Sequence, residues 1–305
     1  MKKDQKILIA GANGYLGTHL SHRLKELGYE VILTDRAQKS VLGYENYIQK
    51  DLEDSTGLQE FLNGVDVIFF FTGKTGPAEQ SFNEPKEFIQ GNEVTLVNVL
   101  TAIKGFENKP KIVFPSTRLL YKGIDGSGLT EAAAKEAKTV YAVNKLACEN
   151  YLDLYQRCFG IDYIVFRISL PYGSFVRQHK VSHGIMSFLI NSARNGESLK
   201  IYGNGNQAGS FIHISDLVNV LIQATFNDSL KNEIYNVGGE DNLTLNSVIS
   251  SIAKKFDVGV EHVDWPKVSQ FAEHGDLVFD SSKINSKIEY QPMYTFGKWL
   301  EEIQL

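Results

Sequence analysis

The sequence predicts an α/β protein, a doubly wound parallel sheet followed by a smaller C-terminal α/β lobe. Three observations predict it. Apolar β-rich runs alternate with helical patterns as far as residue 168. Those runs are apolar almost throughout, as strands covered on both faces are, and right-handed crossovers then place helices on both sides of the sheet. Beyond residue 170 the alternation loosens and glycine and asparagine become frequent, as in Gly203-Asn204-Gly205-Asn206.

Residues 6–10 read as the first strand. Leu16, Leu20, Leu24 and Leu27 follow at helical spacing, and Gly28 ends that helix. Residues 31–34 and 47–49 are the second and third strands. Ser55 is placed to cap a helix that turns Leu58, Phe61 and Leu62 inward. The fourth strand is 67–71. A long helix follows Pro85 with Phe88, Val94, Val97 and Leu100 inward. Residues 111–114 form a strand, 139–158 a helix and 164–168 a further strand. A helix at 215–224 and a strand at 234–237 return to the sheet.

The bulk numbers remove several functions. The net charge is −5 and no Lys/Arg-rich run stands out, which argues against nucleic acid as a partner. No apolar run approaches a membrane span, and the one at Ile7 is too short for a signal peptide. Cys148 and Cys158 lie on one predicted helix, roughly 15 Å apart, beyond the reach of a disulfide. Both are expected to be reduced, which fits a cytoplasmic protein. No metal site is expected.

The first strand runs into Gly11-Ala12-Asn13-Gly14-Tyr15-Leu16-Gly17 and then into a helix. Glycines at such a turn let backbone approach a pyrophosphate, and the helix N-terminus offers N–H groups and a positive dipole end. The spacing is GxxGxxG rather than GxGxxG; its position at the first βα turn gives it weight. The fold is therefore read as Rossmann-type. The dinucleotide-binding domain spans residues 1–168, with 213–238 returning to it. Residues 169–212 and 239–305 form the substrate lobe. Asp35, ending the second strand, can accept both ribose hydroxyls and would repel a 2′-phosphate, so NAD is favoured over NADP; Arg36 is the residue that would speak for NADP. Asp51 and Leu52 either touch the adenine or merely lead into the next helix.

Tyr141 and Lys145 stand four apart on one predicted helix and share a face. A tyrosine can take the proton of an alcohol as hydride leaves its carbon, and a nearby ammonium lowers the phenol pKa toward working pH. The spacing alone arises by chance about once in a chain of this composition, and Tyr294–Lys298 repeats it. Position selects the first pair, which follows the strand carrying Ser116 and Thr117 at its end.

With these motifs in order, the chain resembles the extended short-chain dehydrogenase/reductases, the NAD-dependent epimerase/dehydratase group. The resemblance covers nearly the whole chain. Residues 7–17 resemble the cofactor loop, so Gly11, Asn13, Gly14, Tyr15, Leu16 and Gly17 are implied at the dinucleotide. Phe71-Thr72-Gly73 stands at the turn beside the cofactor, and Asn92 matches the helix that follows. Thr117 falls in the catalytic Ser/Thr position with Ser116 one step before, and Tyr141-Ala-Val-Asn-Lys145 matches the active-site helix. Arg167-Ile-Ser-Leu-Pro-Tyr-Gly173, the segment from Ile201 to Gly205, and Phe211-Ile-His-Ile-Ser-Asp216 match later landmarks. Implied are the catalytic trio Thr117, Tyr141 and Lys145, hydride transfer through NAD, a small sugar-like substrate, and a homodimer formed through the helices at about 85–105 and 139–158, whose spare apolar residues include Tyr151 and Leu154.

The departures from the family pattern gather in the lobe. Leu170 replaces an asparagine that contacts substrate phosphate. Gly209-Ser210 replaces Arg-Asp before the Phe-x-His segment. Glu273 stands where a second phosphate arginine precedes Gly275-Asp276, and no arginine follows Arg194. Arg118 and Leu119 follow Thr117 where dehydratases carry acids, which disfavours dehydration. The usual clamp on a nucleotide diphosphate is therefore expected to be missing. The substrate is then a smaller sugar derivative, or it is held by a basic loop containing Arg177, His179, Lys180 and His183; that loop can equally be a solvated surface. His183 is also a candidate general acid, and Ser116 and Gln207 complete the candidate substrate contacts. His213 and Asp216 read as structural, with Asp216 capping the next helix, and His19 and His22 as surface residues. The function expected is that of an NAD-dependent sugar or sugar-nucleotide epimerase. A carbonyl reductase or dehydrogenase of a small substrate is the alternative, and a non-catalytic dinucleotide-sensing protein a second one, against which the intact trio speaks.

Overall fold

Seven parallel strands form the central sheet of the computed structural model, which describes residues 5–124, 128–174 and 184–304. In chain order the first half runs β1 (Ile7–Ala10), α1 (Tyr15–Glu26), β2 (Val31–Asp35), β3 (Tyr47–Gln49), α2 (Leu58–Leu62), β4 (Val67–Phe70), α3 (Ala78–Asn83), α4 (Pro85–Ile89), a π-helical turn (Gln90–Val94), α5 (Thr95–Ile103), β5 (Lys111–Thr117), α6 (Val140–Phe159) and β6 (Tyr163–Ile168). The second half runs β7 (Leu170–Tyr172), α7 (Gly184–Arg194), β8 (Leu199–Tyr202), β9 (Ala208–His213), α8 (Ile214–Thr225), β10 (Glu233–Val237), β11 (Asp241–Thr244), α9 (Leu245–Phe256), β12 (Val260–Val263), α10 (Lys267–Phe271), α11 (Ser282–Asn285) and α12 (Phe296–Glu302).

The sheet order is β10-β6-β5-β4-β1-β2-β3. Chain direction around the sheet reverses between β1 and β4, and a crevice opens there beyond the C-terminal strand ends. Apolar side chains cover both faces. Ile7, Ile9, Phe69 and Phe166 pack with Leu20 and Leu24 of α1 and Leu217 and Leu221 of α8. Leu8, Ile68 and Phe114 pack with Leu96 and Leu100 of α5 and Leu152 of α6. The lobe has its own core, in which Met186 and Leu189 of α7 meet Ile249 and Ile252 of α9. Its strands join as a sheet of β11, β9 and β7 and a β12–β8 pair. Among the described residues no helix is long and apolar enough to cross a membrane.

Several local expectations are corrected. β5 continues to Thr117, so Ser116 and Thr117 belong to the strand, where they pair with Arg167 and Ile168 of β6. Ser55 does not cap α2 with its hydroxyl: the N-cap is Gly57, at φ 70°, and the Leu58 N–H goes to the Ser55 carbonyl. The helix after Pro85 is interrupted by the π-turn, which adds a residue to one turn and rotates the face that follows. Leu96, Val99, Leu100 and Ile103 are the buried positions, and Val94 and Val97 are only half-buried. His213, not Asp216, caps α8, its side chain accepting the Ser215 N–H. The Asp216 carboxylate instead accepts the Met293 and Tyr294 N–H groups. His19 is no surface residue; it is 1% exposed, with Nδ1 at 2.7 Å from the Tyr15 carbonyl.

Candidate active site

The glycine turn is built from close backbone contacts. Gly11 sits at φ 81°, and a Cβ there would lie 2.6 Å from the Phe71 carbonyl carbon. A Cβ on Gly17 would lie 2.2 Å from the Gly11 oxygen, so α1 could not approach β1 this closely with any side chain in place. No side chain caps α1: its N-cap is Gly14 and its first turn holds no acid. An uncapped, glycine-lined helix end offers its orphan N–H groups to an anion, and the dipole adds to the attraction. This is the geometry a pyrophosphate requires.

A cleft of about 520 Å³ opens beside this turn, lined by Gly11, Gly14, Asp35, Arg36, Asp51, Leu52 and Phe71-Thr72-Gly73. It continues into a second cavity of about 240 Å³. That cavity shares the glycines and Phe71–Gly73 and adds Tyr15, Leu16, Gly17, Ser116, Thr117, Tyr141 and Lys145. One continuous groove therefore passes from the end of β2 to the ends of β5 and α6. Lys50, Lys74 and Thr75 also line it and escaped the sequence reading, since a lone lysine or threonine in a loop carries no periodic signal.

Two expected cofactor residues do other work with their side chains. Asn13 Nδ2 donates to the Lys39 carbonyl and to Tyr47 Oη, and its Oδ1 accepts the Val41 N–H. It thereby fastens the loop after β2, while its backbone N–H reaches Asp35 Oδ2 at 3.2 Å. Asn92 lies in the π-turn, 2% exposed, with Nδ2 donating to the Lys74 and Phe88 carbonyls. Its Oδ1 would meet a Cβ on Gly73 at 2.6 Å, so it braces the turn beyond β4. Tyr15 Oη donates to the Gly173 carbonyl at 2.8 Å, tying the glycine turn to the lobe entrance.

The trio converges at the far end of the groove. Thr139 caps α6 by accepting the Ala142 N–H at 3.1 Å, which fixes where Tyr141 enters the helix. Lys145 Nζ donates to the Pro115 carbonyl at 2.8 Å and lies 4.4 Å above the Phe114 ring and 5.8 Å from the Tyr141 ring centre. Burial pulls the Lys145 pKa down to about 8, with Cys148 and Glu149 opposing. Burial pushes Tyr141 up to about 12, and its hydrogen bond with Thr117 pulls the other way. Burial of the phenol therefore outweighs its neighbours, against the expectation that Lys145 would lower it.

Beneath the trio lies a buried ion pair. Arg167 grips Glu149 through both arms, Nε–Oε1 at 2.9 Å and Nη2–Oε2 at 2.6 Å. Arg167 Nη1 also donates to Tyr121 Oη, which in turn donates to Asn236 Oδ1 at 2.6 Å. Ser116, expected at the substrate, borders the cavity, but its hydroxyl donates to Glu149 Oε1 at 2.5 Å. The reason is strand parity: successive side chains on β5 point to opposite sides, so Thr117 and Ser116 cannot both face one ligand.

The altered lobe positions fit one another. A Cβ on Gly209 would lie 2.6 Å from Leu170 Cδ1, so the leucine fills the space a larger residue at 209 would need. Gln207 uses its carbonyl to accept the Leu245 N–H and does not line the groove described above. Arg177, Lys180 and His183, with His179, lie outside the described residues. The second Tyr–Lys pair lies in the lobe: Tyr294 packs on His213 at 4.2 Å between ring centres, tilted by 35°, and Lys298 Nζ lies 5.2 Å from the Tyr294 ring centre.

The comparisons agree with this architecture. A UDP-N-acetyl-alpha-D-glucosaminuronate decarboxylase of Bacillus cytotoxicus is 27% identical over 99% of this chain and 97% of its own. The UDP-glucose 4-epimerase of Thermotoga maritima, solved with UDP-glucose, superposes with a TM-score of 0.86 at 21% identity, covering 97% of this chain and 96% of that one. The UDP-glucuronic acid 4-epimerase of Bacillus cereus, solved with UDP-glucuronic acid and NAD, gives 0.84 at 22% identity, covering 97% of each chain. The profile of the NAD dependent epimerase/dehydratase family matches residues 7–238, and the chain is a member of that NAD-dependent enzyme family.

Proposed function

We propose that this protein is an NAD-dependent sugar-nucleotide epimerase that works by reversible oxidation of a sugar hydroxyl. The observation that carries the reading is the meeting of Tyr141, Thr117 and Lys145 in the same groove as the uncapped glycine turn. Gly11, Gly14 and the first turn of α1 would hold the pyrophosphate, Asp35 a ribose, and Lys145 the ribose next to the nicotinamide. Bound NAD supplies the hydride acceptor and a positive charge that favours the phenolate. Thr117 orients the substrate hydroxyl and Tyr141 removes its proton as hydride leaves the carbon; on the return step, with the keto sugar turned over, the hydride would re-add to the other face of the carbonyl carbon and Tyr141 gives its proton back to the oxygen. An enzyme that stops at the ketone would instead release reduced cofactor. Incubation with UDP-sugars and NAD tests the reading: interconversion of two epimers without net NADH supports it, and stoichiometric NADH release replaces it with a dehydrogenase.

Asp35 stands at the ribose end of the groove, its Oδ1 receiving the Ala37 N–H at 3.3 Å. A 2′-phosphate there would meet a carboxylate, so NAD should bind about tenfold or more tightly than NADP. Calorimetric titration of both checks this; an NADP preference would shift the assignment to Arg36, which lines the same cleft.

We also infer a homodimer through α4, α5 and α6. Val143 is 51% exposed, Leu154 45% and Ile89 42%, a set of large apolar side chains on adjacent helices. Tyr151, by contrast, is half-buried and donates to Glu93 Oε2. Sedimentation at micromolar concentration should give twice the chain mass, and Leu154→Glu should give the monomer. A wild-type monomer rules the dimer out. The two cysteines are free, as a reducing cytoplasmic setting would keep them.

A further inference from the structure

Arg118 follows Thr117 directly and opens the short 3₁₀ turn, Arg118–Leu120, that ends β5. Its side chain is partly buried, yet among the described residues its guanidinium makes no hydrogen bond and no ion pair. A guanidinium carries five donors and never loses its charge, so a half-sheltered one without acceptors is poised for an anion. Two further groups share its surroundings. Lys138 stands three residues before Tyr141, its Nζ donating to the Glu273 carbonyl at 2.7 Å. His274 is buried beside the Tyr121 backbone. Burial, with the Lys138 and Arg118 charges, draws the His274 pKa down to about 4, so the imidazole stays neutral.

The opposite charge that Arg118 feels is Glu273. That carboxylate is already occupied on one oxygen, with Oε1 accepting the His274 and Gly275 N–H groups at 2.9 and 2.8 Å. Glu273 stands at the position where the sequence pattern leads one to expect a cation. The chain thus carries a carboxylate at that lobe position and a guanidinium at the end of the catalytic strand. Arg118 follows Thr117 at the point where the chain leaves β5 for the 3₁₀ turn, so the strict alternation that separates Ser116 from Thr117 ends there.

We propose that Arg118 is the anion-binding residue of the substrate site, its guanidinium taking the carboxylate or phosphate oxygens of the sugar nucleotide held at Thr117 and Tyr141. This rests on the sugar-nucleotide reading above and names how such a substrate is held without the usual lobe arginines. The fork geometry of arginine suits either anion, and lysine does not reproduce it.

The test is calorimetric titration of the NAD-loaded protein with UDP-glucuronate, UDP-glucose and UDP, for wild type, Arg118→Gln and Arg118→Lys. A charged hydrogen-bonding pair lost from a sheltered site should weaken binding about 10–100-fold in Arg118→Gln, with part recovered in Arg118→Lys. A loss confined to UDP-glucuronate assigns the partner as a sugar carboxylate. An equal loss for all three ligands assigns it as the diphosphate. Unchanged affinities for all three overturn the proposal while leaving the sugar-nucleotide reading in place. Wild-type protein that binds NAD but none of the three overturns that reading, and the proposal with it. Melting temperature and NAD affinity report folding, and if the Gln variant fails there, the Lys variant decides by the same criteria.

Discussion

Tyr141→Phe should abolish turnover while leaving the fold and NAD affinity nearly unchanged. The substitution removes one hydroxyl, whose partner is Thr117, and keeps the ring that Lys145 approaches. A positioned acid–base group contributes about 10²–10⁴-fold, and among the described residues no other phenol lines that cavity except Tyr15, whose hydroxyl donates to the Gly173 carbonyl. The measurement is epimer interconversion by the purified variant, alongside a thermal melt. Tyr294→Phe serves as the control, since its ring packs on His213 in the lobe. A dead Tyr294→Phe with an active Tyr141→Phe would move the site to the lobe.

Glu149→Ala should cost about 3–5 kcal/mol of stability, the range for leaving one member of a buried ion pair alone. Arg167 is 1% exposed and Glu149 4%, so solvent cannot step in for the missing carboxylate. The loss also frees the Ser116 hydroxyl and one anchor of α6, four residues beyond Lys145. Denaturant unfolding measures the effect. The double variant Glu149→Met with Arg167→Met should recover much of it, because removing both charges leaves none uncompensated. A loss below about 1 kcal/mol for Glu149→Ala would show that the pair is solvated in solution.

Strand and helix periods made most of the sheet legible, because apolar runs and the glycine turn are local signals. What escaped was set by contacts between distant segments. The π-turn at Gln90–Val94 shifts the helical phase by a residue, and no period in the sequence announces it. Which of Ser116 and Thr117 faces the groove depends on where β5 ends, and the strand runs further than its apolar stretch suggests. His19 reads as polar surface until Ser174 and the Tyr15 carbonyl are seen to bracket it. Leu170 and Gly209 look like two separate losses in the sequence and are one packing event in three dimensions. The Tyr141–Lys145 pair, by contrast, was ambiguous by spacing and decided by its place after β5.

The position of β10 has a consequence for biosynthesis. This strand completes the catalytic sheet by pairing with β6, yet it is translated only after the first segment of the lobe, residues 169–212. Until it emerges, a nascent chain exposes an apolar parallel edge from Tyr163 to Ile168, and Tyr121 and the Asn236 site cannot join. A chain cut short before Glu233 should therefore accumulate as aggregate even though its glycine turn is intact, and a ribosome-bound intermediate of that length is where a chaperone would be needed most.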